Sequence, residues 1–382
     1  MWTVILVCCF FLVVCYAAYM LRLAAVWHMT PTDSPGPLSE HISLAVIIPV
    51  RNESSNIGTL LQSILAQETE GIVWEVIVSD DCSDDDTVAR ARAFAESFSE
   101  RGVKFTILAS KEGDAHGKKA ALARAIKSSA ASHILTTDAD TVRGKSWIRS
   151  VVSAFSGTNA SMLVPFTELD PECGIFNRLQ ALEFAGLTAT SGAAISAGNP
   201  LMCNGANLAF SRSAFDNAGG YDSGSKHASG DDTFLMLSIH AAAPGSVRFL
   251  KDPSAIVTAA PAKHWKEFLH QRVRWITKVR HYSSPRILLN GLLVAGANAA
   301  VVITAVAWLT GLLHPGVLVG VFILKSIGEF ALLKQALSFA GRPRLLLLFL
   351  PAAMLTPFYF IASGWFLLFP ATYSWKGRSY RT

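Results

Sequence analysis

Charged residues are scarce in this chain. Asp, Glu, Lys and Arg make up 16% of its 382 residues, whereas soluble proteins average roughly a quarter. The formal net charge is only +5, and no run of basic residues alternates with aromatic ones. A dedicated nucleic-acid surface is therefore not expected, and the modest positive charge favours contact with anionic lipid headgroups.

Paired cysteines are also lacking. Three of the six cysteines lie in the first apolar segment, and the others are scattered through the chain. None has the spacing of a zinc site or of a disulfide framework, so we expect reduced, unpaired thiols in a cytosolic domain. The N-terminus has neither a basic leading segment nor a small-residue cleavage site, which argues against a cleaved signal peptide.

Long apolar runs are abundant instead, and hydrophobic residues make up 51% of the chain. The first run, residues 3–26, is long enough to cross a bilayer. Three further candidates follow the middle region, at residues 287–313, 315–333 and 345–369. The last contains Pro351 and Pro357, so it is either a kinked span or a re-entrant hairpin. We favour the hairpin, because it leaves the basic C-terminal tail in the cytosol.

These patterns divide the chain into five segments. They are a transmembrane helix over 1–27, a linker over 28–41, an α/β domain over 42–262, an interfacial amphipathic segment over 263–285, and transmembrane or re-entrant helices with a basic tail over 286–382. Within the last segment, Lys325 and Glu329 are four residues apart and would share one helix face. They form either a structural pair or a contact for a substrate headgroup.

The middle region alternates β-branched runs with amphipathic ones. Strands are predicted at 44–49, 74–78, 103–108 and 133–137, and helices at 56–67, 87–98 and 118–128. This alternation predicts an α/β domain with a mostly parallel sheet. Ligands bind beyond the carboxyl ends of the strands in such sheets, and two acidic clusters occur there in this sequence.

Asp138 and Asp140 follow the fourth predicted strand with one residue between them. Alternation along an extended chain directs both carboxylates to the same side. There they can hold Mg²⁺ or Mn²⁺, which typically also bridges diphosphate oxygens. The alternative is a solvated turn, because Asp-x-Asp sequences are common by chance.

The ends of the first two predicted strands are also polar. Pro49, Arg51 and Glu53 end the first strand, and Asp80 and Asp81 end the second. Carboxylates in this place can accept hydrogen bonds from a base or from ribose hydroxyls, so we expect a nucleotide site. The alternative is an acidic turn that caps the following helix.

A lysine stands at the start of another predicted helix. Lys118 follows Gly117, and a lysine at a helix start beside a glycine can meet a phosphate group. The alternative is an exposed helix start without a ligand.

Asp231 and Asp232 precede an apolar helical run. If the chain transfers a group to a hydroxyl by an inverting displacement, one carboxylate must lie within hydrogen-bond reach of that acceptor hydroxyl. Adjacent helical residues cannot both point into one site, so one acid is expected to be the base and the other to support it. An acidic helix start is the alternative.

Gln271, Arg272, Arg274 and Trp275 lie on a predicted amphipathic helix at the membrane. Arg274 can pair with a diphosphate through two parallel hydrogen bonds, and Trp275 can stack on a sugar ring or on the acceptor. The alternative is an interfacial anchor of basic and aromatic residues.

Taken together, these motifs resemble those of the membrane-integrated family 2 glycosyltransferases, which have the GT-A fold. The matching segments are Ile-Ile-Pro-Val-Arg-Asn-Glu at 47–53, Asp-Asp-Cys-Ser at 80–83, Gly-Lys at 117–118, Asp-Ala-Asp at 138–140, Cys-Asn-Gly-Ala-Asn at 203–207, Gly-Asp-Asp at 230–232 and Gln-Arg-Val-Arg-Trp at 271–275. The family commonly has glycine where this chain has Cys82, which puts the conformation of that turn in question.

The resemblance implies a role for each group of residues. Donor binding is implied for Pro49, Arg51, Glu53, Asp80, Asp81, Lys118 and Asp138, and for Gln271, Arg274 and Trp275, which would close over the diphosphate. Asp138 and Asp140 would hold the metal ion. Asp232 would be the general base, and Asn204, Asn207 and Asp231 would support the acceptor site.

The implied reaction is an inverting, metal-dependent transfer of a hexose from a nucleotide sugar, expected to be UDP-linked, to a hydroxyl of a membrane lipid. The C-terminal Trp-Lys-Gly-Arg resembles bacterial members that glycosylate carotenoids and hopanoid-type lipids. A processive polysaccharide synthase shares Gln-x-x-Arg-Trp and is the first alternative, although three or four spans are few for a polymer channel. A catalytically inactive membrane binding or scaffold protein is the second.

The expected location is the inner or plasma membrane, with several crossings and the catalytic domain in the cytosol. No nucleic-acid partner is expected. The sequence leaves the oligomeric state open, as it does the identity of the sugar and of the lipid.

Overall fold

Two compact units make up the chain in this computed structural model. It describes residues 2–39, 41–110, 115–172, 174–222, 231–277, 284–365, 372–375 and 378–381. The sheet unit comprises residues 30–170 and 191–260, and the helical unit comprises residues 1–29, 171–190 and 261–382.

The sheet unit contains ten strands. In chain order they are β1 (Ser43–Val50), β2 (Val73–Asp80), β3 (Lys104–Ala109), β4 (His133–Thr136), β5 (Thr141–Arg143), β6 (Met162–Pro165), β7 (Thr167–Leu169), β8 (Leu208–Ser211), β9 (Val247–Leu250) and β10 (Val257–Ala259). Seven of them form a sheet in the order β3-β2-β1-β4-β8-β6-β9, and β5, β10 and β7 form a smaller one. In the large sheet every neighbouring pair is parallel except the two that involve β8. The predicted mostly parallel sheet is confirmed.

Thirteen helices occur among the described residues. They are α1 (Trp2–Met29), α2 (Ile57–Leu65), α3 (Thr87–Arg92), α4 (Ala95–Glu100), α5 (Lys118–Ser128), α6 (Trp147–Ser156), α7 (Gly174–Ser196), α8 (Arg212–Asn217), α9 (Asp231–Ala242), α10 (Trp265–Thr277), α11 (Pro285–Leu309), α12 (Pro315–Phe339) and α13 (Phe349–Trp365).

The core of the sheet unit lies around β1. Residues 44–48 of this strand are fully buried, as expected for a central parallel strand that is covered on both faces. The helix α2 buries Ile57, Leu60, Leu61 and Ile64 against the same core, with the three- and four-residue spacing of one helix face.

The helix predicted at 87–98 is two short helices, α3 and α4, so that prediction is wrong in its continuity. The Phe94 N–H group donates to the Ala91 carbonyl at 3.1 Å, three residues back, which tightens the chain into a turn. The turn is compatible with burial of Phe98, whose ring stacks on Phe105 at a centroid distance of 4.8 Å.

The predicted linker has no regular secondary structure at residues 31–39, yet it is attached to the sheet unit at several points. The Asp33 carboxylate pairs with Arg248 and accepts a hydrogen bond from the Lys251 N–H group at 3.0 Å. The Lys251 ammonium donates to the Thr30 carbonyl at 2.8 Å. Burial lowers the pKa of Lys251, and the Asp33 carboxylate opposes that shift.

Four described helical segments are long and apolar enough to cross a membrane. They are Val4–Met29, Pro285–Leu309, Pro315–Phe339 and Pro343–Gly364. The last consists of a 3-10 turn followed by α13, and α13 continues through Pro357 as one helix. The favoured hairpin is therefore not formed by the described residues, because Pro357 removes one hydrogen-bond donor without reversing the chain. The C-terminal tail forms a strand pair, β11 (Thr372–Trp375) and β12 (Arg378–Arg381).

In the helical unit, α1 packs closely against α12. A Cβ atom on Gly328 would lie 2.6 Å from the Met20 Cβ atom, so only glycine permits this approach. One turn away, the buried Lys325 ammonium lies 2.8 Å from a Glu329 carboxylate oxygen, and the Tyr16 hydroxyl donates to Glu329 at 2.6 Å. The predicted Lys325–Glu329 pair is thus formed, and Tyr16 of α1 is hydrogen-bonded to it.

Candidate active site

The carboxyl ends of β1 and β2 lie side by side. The Asp81 N–H group donates to the Val50 carbonyl at 2.9 Å. Arg51 crosses this junction, where its Nη1 atom donates to the carbonyls of Asp81 and Cys82 at 2.6 and 3.1 Å. Its guanidinium therefore helps to hold the two loops together, and its predicted contact with a donor stays a prediction. Pro49 lies half-buried within β1.

Two buried acids flank this junction. Glu53 accepts a hydrogen bond from the Asn56 side chain at 2.7 Å, and its own N–H group donates to the Thr87 hydroxyl at 2.7 Å. One oxygen of Asp80 accepts from the Ser83 N–H group at 3.1 Å, and its other oxygen has no hydrogen-bond partner among the described residues. A buried acceptor without a donor is unfavourable, so this oxygen suits a ligand N–H or hydroxyl group.

Asp81 is held by the segment before α5. Its carboxylate accepts a hydrogen bond from the Gly117 N–H group at 2.9 Å, and the His116 Nδ1 atom lies 3.6 Å away. Gly117 has a φ of 101°, a conformation open to glycine and strained for other residues, which explains why glycine precedes Lys118. The sequence pattern Gly-Lys therefore places a helix start beside Asp81, whose role in nucleotide binding stays a prediction.

The turn at Cys82 forms without the glycine that is common in the family. Cys82 adopts a φ of 57°, in the left-handed region that glycine enters at little steric cost. Its Sγ atom lies 3.7 Å from the His116 Nδ1 atom. This chain therefore keeps the backbone turn and adds a thiol to it. The described cysteines are free, as predicted, and Cys173 lies outside the described residues.

Lys118 and Asp138 meet directly, with 2.5 Å between the ammonium nitrogen and a carboxylate oxygen. Asp138 and Asp140 lie in the turn after β4, and both are half-exposed on either side of the buried Ala139. Both side chains are therefore open to solvent, and their predicted common direction stays a prediction. Asp138 already faces a cation, and hard oxygen donors of this kind suit Mg²⁺ or Mn²⁺.

No group of three His, Cys, Asp or Glu side chains able to hold a metal is found in the part of the chain that the structure describes. Two carboxylates remain a sufficient protein contribution for Mg²⁺, which commonly takes one or two carboxylates plus substrate phosphates and water. The residues present thus fit a metal ion that is shared with a diphosphate, and they do not fit a metal site formed by protein alone.

A partly buried arginine follows the acid pair in the chain. The Thr141 hydroxyl donates to the Asp138 carbonyl at 2.7 Å, and Arg143 donates to the Thr141 carbonyl at 3.1 Å. Arg143 also lies over the Trp147 ring, 4.6 Å from its centroid. Burial lowers the pKa of this guanidinium to about 9. The sequence analysis does not single out Arg143, although it stands only three residues after Asp140.

Asp232 lies on the first turn of α9 and is half-buried. Its Oδ2 atom accepts a hydrogen bond from the Gly205 N–H group at 3.0 Å. The Gly205 carbonyl in turn accepts from the Thr136 hydroxyl at 2.9 Å, and Thr136 is the last residue of β4. Asp232 is therefore connected through Gly205 to the last residue of β4, two residues before Asp138. The side chain of Asp231 lies outside the described residues.

Two asparagines of the predicted acceptor segment differ in role. Asn204 is half-buried and its Oδ1 atom accepts from the Ala206 N–H group at 3.0 Å. Asn207 is buried, donates to the Phe166 and Ala255 carbonyls, and accepts from the Trp147 indole at 3.0 Å. The Asn207 side chain therefore holds the backbone at Phe166 and Ala255, and its support of an acceptor site stays a prediction.

The Gln-Arg-Val-Arg-Trp segment lies on α10 in the helical unit. Gln271, Arg274 and Trp275 are half-exposed, whereas Arg272 is buried. The Trp275 ring lies 5.9 Å from the Phe184 ring of α7. The predicted contacts of Gln271, Arg274 and Trp275 with a diphosphate stay predictions.

The fold and the site together define an α/β protein with apolar helices and an acidic ligand site at the carboxyl edge of its sheet. The profile of glycosyl transferase family 2 matches residues 45–219. The profile of glycosyl transferase family group 2 matches residues 133–373, which is more than half of the chain. The chain belongs to the family 2 glycosyltransferases, as its motifs predict.

Two relatives match over part of their length. The glycosyltransferase AglE of Haloferax volcanii is 29% identical over 120 residues, which are 31% of this chain and 38% of that protein. The 4,4'-diaponeurosporenoate glycosyltransferase of Staphylococcus aureus is 33% identical over 100 residues, which are 26% of this chain and 24% of that protein. The chain thus matches well under half the length of either relative.

The similarity to a solved structure extends much further. The mannosyltransferase PcManGT from Pyrobaculum calidifontis, in complex with GDP-Man and Mn²⁺, has a TM-score of 0.57 at 20% identity. The match covers 92% of this chain and 99% of that chain. At this identity the match concerns the fold, and the prediction of a GT-A domain with flanking apolar helices is confirmed.

Proposed function

We propose that this protein transfers a hexose, with inversion and with a divalent metal ion, from a nucleoside diphosphate sugar to the hydroxyl group of a membrane lipid. The proposal is based on a connected set of contacts at the end of the sheet where β1, β2 and β4 terminate. Gly117 bonds to Asp81, Lys118 pairs with Asp138, and Gly205 joins Asp232 to the end of β4. A donor acid, a phosphate-binding cation, a metal-binding acid and a candidate base are thereby held on neighbouring loops.

Donor binding uses the loops after β1 and β2. The unpartnered oxygen of Asp80 and the half-exposed ammonium group of Lys118 are two groups that a bound ligand could contact. We assign Asp80 and Asp81 to the nucleoside and Lys118 to the diphosphate, because a lysine at a helix start favours a phosphate group. The prediction of a UDP-linked donor is kept, and GDP-linked donors belong in the same screen, since the solved mannosyltransferase is in complex with GDP-Man.

The metal ion is assigned to Asp138 and Asp140, in agreement with the Mn²⁺ in that mannosyltransferase complex. When bound, it neutralises charge that develops on the leaving diphosphate. Lys118 supports the same charge, and it must share Asp138 with the metal ion. We therefore expect the Lys118 ammonium to turn toward the diphosphate when donor and metal bind.

Asp232 is assigned as the general base. It takes the proton from the acceptor hydroxyl while the hydroxyl oxygen attacks the anomeric carbon from the face opposite the leaving group. The bond between that carbon and the diphosphate oxygen breaks, and the nucleoside diphosphate leaves with the bonding electrons. The hydrogen bond from Gly205 holds the Asp232 carboxylate in one orientation for this transfer.

The lipid acceptor is supported by the four apolar helices that flank the sheet unit in sequence. One of the partial relatives is named as a 4,4'-diaponeurosporenoate glycosyltransferase, which agrees with a non-polymeric acceptor. We keep the catalytic domain in the cytosol, where nucleotide sugars are found. Four crossings would then place both chain ends on the opposite side, which conflicts with the expected cytosolic tail and makes tail accessibility a direct test of the count.

The test is incubation of membranes that contain the protein with labelled UDP- and GDP-hexoses and Mg²⁺ or Mn²⁺, followed by lipid extraction. We expect label in a small extractable lipid. Label in insoluble polymer would select the processive synthase instead. Absence of both transfer and donor hydrolysis in purified protein, with donor binding retained, would select the inactive binding protein.

A further inference from the structure

Arg272 of α10 occupies one of the two unspecified positions of the Gln-x-x-Arg-Trp motif, and its side chain is bonded to several groups. Its guanidinium forms two hydrogen bonds with the Glu183 carboxylate of α7, from Nε at 3.1 Å and from Nη2 at 2.6 Å. Only 3% of the Arg272 side chain is exposed. Removal of a planar guanidinium from water is expensive unless its donors are paired, so this geometry indicates a specific arrangement.

Two motif residues are held by the same guanidinium. The Arg272 Nη1 atom donates to the Gln271 side-chain oxygen at 2.7 Å. The guanidinium carbon lies 4.2 Å from the centroid of the Trp275 ring and 4.4 Å from that of the Phe268 ring. Arg272 is therefore enclosed between two aromatic rings and bonded to the first residue of the motif, while Trp275 is its last.

A third helix reaches the same group. Tyr359 of α13 lies beside this group, with its ring 5.7 Å from the Phe268 ring. The cluster of Glu183, Arg272, Phe268, Trp275 and Tyr359 thus ties α7, α10 and α13 together. Its members come from distant parts of the chain, so no single sequence motif includes all of them.

We infer that Arg272 is a positioning residue that presets Gln271 and Trp275 for substrate, with the partly exposed Glu183 as its counter-ion. The inference rests on the proposed transfer reaction and on the predicted donor contacts of Gln271 and Trp275. Arg272 is too buried to meet the diphosphate itself, and its donors point at Glu183 and Gln271. It acts through the orientation of its two neighbours.

Arg272→Lys separates charge from shape. Lysine keeps the positive charge opposite Glu183, but it has no planar fork and cannot bond Glu183 and Gln271 while stacking on two rings. We expect a folded protein with kcat reduced ~10- to 100-fold, the size of effect that follows from a small misplacement of binding groups. Lys266→Met, at an exposed cation on the same helix, is the matched control and should behave as wild type.

A double-mutant cycle tests whether Arg272 acts through the motif. If it does, adding Arg272→Lys to the combined change Gln271→Ala with Trp275→Ala should lower kcat by no more than about a further threefold, because the two residues through which Arg272 acts are already removed. Multiplied effects, or wild-type kcat in Arg272→Lys, would overturn the inference. If Arg272→Lys does not fold, the double change Glu183→Met with Arg272→Met removes both charges, and full turnover in that variant would also overturn it.

A structural readout keeps the inference independent of turnover. With 5-fluorotryptophan incorporated, the ¹⁹F resonance of Trp275 can be assigned by Trp275→Phe. Arg272→Lys should shift this resonance, whereas Lys266→Met should leave it in place. An unchanged resonance in Arg272→Lys would overturn the inference. If the wild type transfers no sugar at all, the proposed function fails, while the resonance still decides whether Arg272 positions Trp275.

Discussion

Paired charged side chains are exposed to water at the end of the sheet that holds the candidate site, and they are buried among the apolar helices. Lys118 and Asp138 are each 31% exposed and form a pair that water can reach. Lys325 is fully buried and is paired with Glu329, to which Tyr16 also donates. A half-exposed pair can exchange partners at little cost, whereas a buried pair cannot lose one member without leaving a charge unpaired. We conclude that the first pair suits ligand exchange and the second suits helix packing.

The largest expected effect concerns the base. Asp232→Asn should reduce transfer by ~10²-fold or more while donor binding is retained, because the change removes the proton acceptor and leaves the donor loops intact. Turnover and donor affinity should be measured on the same preparation. Asp231→Asn should be milder. A reversed order of severity would reassign the base to Asp231.

The acid pair should come next. Asp138→Asn and Asp140→Asn should each abolish metal-dependent turnover and leave the protein folded, because both carboxylates are half-exposed at a turn. Thermal unfolding and a metal titration of activity check the two parts of this prediction. Full activity of the wild type in excess chelator would contradict the metal assignment.

A matched pair of lysine changes tests the comparison itself. Lys325→Met should destabilise the protein by about 3 kcal/mol or more, because Glu329 would be left in an apolar bundle without its counter-ion. Lys118→Met should lower the free energy of unfolding by less than about 1 kcal/mol, yet impair donor use. Unfolding in detergent micelles and donor affinity give the two readouts.

Restoring stability by a second change sharpens that result. Lys325→Met combined with Glu329→Met should recover most of the loss, since a well-packed apolar pair can replace a buried ion pair. Equal destabilisation by Lys118→Met and Lys325→Met would remove the distinction between the two regions.

The smallest expected effect lies beside the nucleotide loops. Burial works against ionisation of Asp85, but hydrogen bonds from Thr87 and Ser54 outweigh it and lower the pKa from 3.8 to about 2. Asp85 therefore adds stability above its unfolded-state pKa, and this contribution is lost as the pH falls from about 4 toward 2. Asp85→Asn should flatten the pH dependence of unfolding by less than about 0.5 kcal/mol, because the group is largely exposed. The unfolding midpoints of the wild type and of Asp85→Asn, compared at about pH 5 and at about pH 3, check this prediction.

The early part of the sheet was predictable because its strands are continuous buried runs. Residues 44–48 read as a central strand, and α5 begins and ends where its spacing predicts, at Lys118 and Ser128. Later strands such as β8 have four residues or fewer and carry no periodic signal of their own. The helix α7 contains Glu183, and nothing in its local sequence marks that acid as the partner of Arg272.

Candidate site residues were predictable as motifs, and their partners were not. Asp81, Asp138 and Asp232 stand out in the sequence, but the groups that hold them, such as Gly205, come from elsewhere in the chain. Arg272 shows the same limit, since its pairing with Glu183 joins residues 89 positions apart. Such contacts arise from tertiary packing, which single-sequence periodicity does not encode.

The reversed direction of β8 has a consequence for how substrate choice can diverge. Strands β1, β2 and β4 deliver the loops that follow them to the ligand edge, but β8 runs the other way and delivers the loop that precedes it, residues 203–207. The loops proposed to contact the donor therefore come after their strands in the chain, whereas the loop that contacts Asp232 comes before its strand. Insertions or deletions before β8 can reshape the acceptor side while the crossovers that build the donor side keep their lengths. Lineages of this fold can thus exchange one substrate while retaining the other.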